Sequence, residues 1–234
     1  MTSATPITNS LPDQRPDDGD FEPEEGTFGP SAPDPYELRL HEALFEHDVS
    51  RICQLVTVPS FDAESAVYIV LREQGAPLVV SRRLNEQLWA LMMTQIEIQA
   101  GGAAVGKSIS TAPSAQVAAL TKIQASTDTD RAEIDPSSVD VLARACESTL
   151  QRSHYRRSFG GIDGVTYHAG HWKPGLFLGA RTHSPAEGTI ARDYIALGES
   201  LRAYAASPSS ERDAVKVELL AKAERLIARA RIKH

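Results

Sequence analysis

The chain has 234 residues, of which 41% are hydrophobic, enough to bury a full core in a single domain of this length. The net charge of −7 resides in the first 35 residues, which hold eight acids, one base and seven of the 14 prolines. Residues 36–234 balance 23 bases against 23 acids, so neither part has the basic footprint that duplex nucleic acid requires.

No run of about 18 apolar residues occurs, and the N-terminus lacks a basic stretch followed by an apolar one. Neither a membrane span nor a secretory signal is therefore expected, and a cytoplasmic address is the default. Residues 1–35 combine proline and acids with few apolar groups, so ordering them would cost more entropy than burial returns, and they read as a disordered acidic tail. Such a tail either solubilises the chain or serves as an arm for a partner.

Tyr36, Leu40, Ala43 and Leu44 recur at helical steps. The period then changes. Ile52 to Val58 is apolar and β-branched, Ala66 to Leu71 alternates Val67, Ile69 and Leu71 with Tyr68 and Val70, and Pro77 to Leu84 returns after a Gly75 turn. From Asn85, a good N-cap, Leu88, Leu91, Met92 and Ile96 mark one helical face. Residues 101–134 shift to Ala, Ser, Thr and Gly and read as a flexible insertion with one weak helix around Val117 to Leu120.

Asp135-Pro136 is a cap followed by proline at the first helical position, and Val139, Leu142, Cys146 and Leu150 form a stripe. Val165 to Trp172 and Leu176 to His183 flank Lys173-Pro174-Gly175, a type II turn sequence, giving a hairpin. Ile190, Tyr194, Leu197, Leu201 and Tyr204 define a helix, and Val215 to Ala230 a last one, with Arg225, Arg229, Arg231 and Lys233 suiting the negative end of its dipole. Cys53 and Cys146 stand in apolar segments of a chain without a secretory signal and read as reduced core thiols.

The expected fold is α+β. An antiparallel sheet of about five strands (51–58, 65–73, 77–84, 164–172, 176–183), built from two hairpins, is covered on one side by about four helices (86–99, 137–152, 188–205, 209–231), in one domain of residues 36–234.

Three chemical readings compete. Gly101 to Ser108 satisfies G-x-x-x-x-G-K-[ST], in which glycines let backbone N–H groups wrap phosphates, Lys107 neutralises them and Ser108 binds Mg²⁺. That motif needs a strand before it and a helix after it. Here a helix precedes, and Pro113 falls inside the first turns of the helix that should follow, where it would break the hydrogen-bond ladder, so a flexible loop is the simpler reading and a nucleotide site centred on Gly101, Gly106, Lys107 and Ser108 the alternative. His154, Asp163, His168 and His183 could form a metal or acid-base cluster near the hairpin, but His168 and His171 have opposite strand parity and cannot share an ion. No nucleophile elbow or activated cysteine is present. No cofactor is therefore called for. What remains is a binding protein with an unidentified protein partner and an interaction face at Thr166, His168, Arg181 and His183.

The order Gly161-Ile162-Asp163-Gly164-Val165-Thr166-Tyr167-His168, then Gly179 to Pro185 and the helix Leu197 to Ala205, resembles a group of small bacterial proteins. These carry a GLDG-x-x-Y/W strand, a W-S-P turn and a final helix pair. The resemblance covers residues 50–206, with Ile162 in place of the usual Leu and His183 where Trp is more common. The group has no assigned activity, so the resemblance implies the fold and not a function, although some of its members look like immunity or other partner-binding proteins.

Overall fold

The computed structural model describes residues 21–23, 35–46, 50–99, 113–153 and 163–231. Seven strands form one antiparallel sheet: β1 (Glu22–Pro23), β2 (Ser50–Pro59), β3 (Ser65–Leu71), β4 (Leu78–Leu84), β5 (Thr127–Glu133), β6 (Val165–Lys173) and β7 (Leu176–His183). Their order is β1-β7-β6-β2-β3-β4-β5, which puts β2 at the centre, with β3 beside it in sequence and β6 arriving from more than a hundred residues downstream. The turn joining β6 to β7 contains Gly175 at φ +77°, the positive value that a type II turn demands of that position.

Six helices complete the fold: α1 (Pro35–Leu44), α2 (Leu88–Gln99), α3 (Pro113–Leu120), α4 (Pro136–Leu150), α5 (Ile190–Ala206) and α6 (Arg212–Arg231). They cover both faces of the sheet, not one as the sequence suggested. Leu55, Val67, Ile69 and Ala169 face a core shared with α4, α5 and α6, whereas Val56, Ala66, Tyr68, Val70 and Val80 face a second core under α1, α2 and α3. The cause lies in β3: both of its parities are apolar, and water would meet one of them if either layer were missing.

The strand count also exceeds the expected five. β5, with sequence TDTDRAE, lies inside the stretch read as a flexible insertion. It is an edge strand in which only Ala132 is buried, so its charges face water and blunt an edge that could otherwise recruit another chain. β1 comes from the segment read as disordered: Glu22 and Pro23 pair with Arg181 and Ala180 of β7, and Phe21 is buried edge-on against Tyr194 at 5.4 Å.

Cys53 and Cys146 form a disulfide across the first core, which corrects the expectation of reduced thiols. A bulge brings them together. Cys53, at φ 46°, is the extra residue where the β2–β3 register shifts between Ile52 and Gln54, so Ile52, Cys53 and Leu55 all join the core under α4. Cys146 belongs to the buried stripe of α4, and the two Cα atoms stand 5.7 Å apart, within the usual span of a disulfide.

α2 is anchored from below by a residue the sequence did not single out. Glu64 is fully buried; its carboxylate accepts from the Leu88 N–H at 2.9 Å and from the Tyr36 hydroxyl, so one side chain caps α2 and ties α1 to it.

Candidate functional site

Thr166, His168, Arg181 and His183 are brought together. They occupy one face of the β6–β7 hairpin as two register pairs, Thr166 opposite His183 and His168 opposite Arg181. His183 is committed to structure: its Nε2 lies 3.1 Å from the Asp163 carbonyl, which can only accept, so Nε2 carries the proton and Nδ1 accepts from the Thr166 hydroxyl at 3.1 Å. His168 is buried, and Arg181 sits 3.7 Å from Glu22, its register partner in β1. Arg181 is the member of the four most open to solvent.

His171 points to the opposite face, as the parity of the strand requires. Burial beneath α4 lowers its imidazole from the ordinary value, with Glu147 opposing that shift. Among the described residues, no group of three or more His, Cys, Asp or Glu side chains is arranged to hold a metal ion. His154 lies outside the described residues.

The phosphate-loop motif, with Gly101, Gly106, Lys107 and Ser108, also lies outside them. Its described flanks are both helical, α2 ending at Gln99 and α3 beginning at Pro113, where a phosphate loop joins a strand to a helix.

Continuing along the hairpin, the same face changes character. Gly170 pairs with Gly179, leaving a gap into which Gln54 of β2 lays its amide; a Cβ on Gly170 would come within 2.5 Å of the Gln54 nitrogen. Trp172 then pairs with Phe177, their rings 4.6 Å apart, and Trp172 is 49% exposed. Beside them opens a cleft of about 500 Å³ between the start of β2, the end of β3 and the hairpin turn, walled by Arg51, Leu71, Trp172, Lys173 and Pro174.

Arg51 gives this cleft its charge. Its guanidinium stacks 4.3 Å above the Phe45 ring and donates from Nη2 to His41 at 3.1 Å, while burial lowers it from its ordinary value. Lys173 donates to Glu147 of α4. The resulting site is an aromatic shelf with an apolar neighbour in Leu71 and, since Glu147 offsets Lys173, one uncompensated cation at its rim, Arg51, a combination suited to holding an apolar side chain on a segment of negative charge. Sequence reasoning located the hairpin but missed Trp172 and Phe177 as a surface pair. The available signal was the coincidence of two large aromatics flanking a tight turn, at a strand end where little can cover them.

No family model, curated protein or solved structure matches the chain.

Proposed function

We propose that the chain is a non-enzymatic protein-binding module of immunity or accessory type, which docks its partner on the aromatic face of the β6–β7 hairpin. The observation that carries this reading is the Trp172–Phe177 pair, partly exposed beside an open cleft. Exposed aromatics next to a concavity are the usual anchors of protein interfaces, because a rigid ring buries a large area at small entropic cost. Arg51, which pairs with no carboxylate among the described residues, favours a partner segment that is acidic around its apolar anchor.

The test is site-specific photocross-linking in cells that make the protein natively. A photoreactive phenylalanine analogue at position 172 should give a discrete protein adduct. The same group at position 217, where Val217 of α6 is 68% exposed on the other side of the sheet, should not. Equal labelling at both positions, or none at 172, would overturn the proposal.

A further inference from the structure

On the side of the sheet away from the hairpin cleft, α5 and α6 run antiparallel and face each other through two stripes. Lys222, Arg225 and Arg229 follow at steps of three and four on α6, and Asp193, Ala196 and Ser200 do so on α5. The outer rungs are closed by direct bonds: Arg229 Nη1 donates to Asp193 at 2.6 Å, and Lys222 Nζ donates to the Ser200 hydroxyl at 2.6 Å.

The middle rung differs. It sets Arg225 against the methyl group of Ala196, and the space widens into a cleft of about 380 Å³ with Leu226 at its wall. Among the described residues no carboxylate pairs with Arg225. The positions one turn away on its own helix are Ala221, Lys222, Ala228 and Arg229, which supply no acid. Three cations therefore line a cleft that contains one carboxylate, and Asp193 is already bound to Arg229.

We propose that this cleft binds a small, multiply charged phosphate compound of the pyrophosphate class. The volume lies in the range of small-ligand sites. Arg229 is neutralised by Asp193, so Lys222 and Arg225 carry the two charges left over, about 5 Å apart along the helix, and they match two phosphoryl groups better than a single carboxylate. Arg225 presents a planar fork that can grip one phosphoryl group through two parallel bonds, and Lys222 and Arg229 stand on either side of it. The Ala196 methyl supplies the apolar part of the lining, backed by the buried Leu226.

Calorimetric titration of pyrophosphate into the full chain at low salt tests this. One saturable site is expected, weakened at least about tenfold in Arg225→Gln, which removes the guanidinium fork, and similarly in Ala196→Asp, which supplies the middle rung with a carboxylate. Arg225 is exposed, so its variant should keep the wild-type melting temperature and report on binding alone. Inorganic phosphate should bind more weakly than pyrophosphate. Absence of saturable binding up to about 10 mM, or equal affinity in the wild type and both variants, would overturn the proposal. So would binding to vesicles of anionic phospholipid without binding to free pyrophosphate, because the cleft would then serve a membrane surface.

Discussion

Asp135 joins two helices through one carboxylate. It accepts from the Ser138 N–H at 2.9 Å and the Ser137 hydroxyl at 2.6 Å, capping α4, while Lys216 of α6 reaches it at 3.4 Å. The Ser137 bond, followed by the Ser138 backbone bond, holds its carboxyl well below the ordinary range. Asp135→Ala should cost about 1 kcal/mol, as loss of a cap does, and lower the melting temperature by roughly 2–4 °C. Because the folded carboxyl is depressed, its contribution is complete above the unfolded value of about 4 and fades as pH falls below it. The gap between wild type and variant in scanning calorimetry should therefore shrink on acidification, and an unchanged melting temperature at pH 7 would contradict the assignment. The cap was legible because Asp-Pro before an apolar stripe is a local signal. The Lys216 contact was not, since it depends on where α6 packs. The same divide separates Thr166 and His183, whose proximity follows from hairpin pairing, from Glu64, whose partners Tyr36 and Leu88 come from two different helices.

Elements follow that division too. β2, β3, β4, β6 and β7 lie close to the expected ranges, as do α2, α4, α5 and α6, because each carries its own apolar period. β5 carries none: alternating Thr and Asp bury almost nothing, and the strand exists because the free edge of β4 offers it a ladder from Leu78 to Leu84. The two-sided cover was readable in principle from β3, whose parities are both apolar, but single-face counting along each helix does not say which face of a sheet that helix meets. β1 is the extreme case. Two paired residues are held by one anchor, Phe21, packed against Tyr194 under the first core. Phe21→Ala should cost about 3 kcal/mol, lowering the melting temperature by roughly 6–12 °C. Deleting residues 1–23 should cost at least as much; a deletion variant that melts like the wild type would show that the arm contributes nothing to stability.

At the scale of the whole molecule, the disulfide closes a loop of 93 residues between the central strand and α4. Restricting so long a loop in the unfolded chain is worth about 4–5 kcal/mol in the chain-entropy account. The double variant Cys53→Ser, Cys146→Ser should lose up to that amount in denaturant titrations, and wild-type protein denatured without reductant should show no free thiol. A full complement of two reactive thiols would count against the bridge. The closed loop contains β3, β4, α2, α3 and β5 but not β6, and β6 is the other neighbour of β2. On the ribosome, β2 to β5 can pair as a meander as soon as they emerge, leaving β2 with an open apolar edge until residue 165 and beyond have been made. The central strand of the finished protein is therefore an edge strand for much of its synthesis. Over that interval the growing chain offers Leu55, Val56 and Val58 for pairing with any neighbouring extended segment, an exposure that ends when β6 takes its place beside β2.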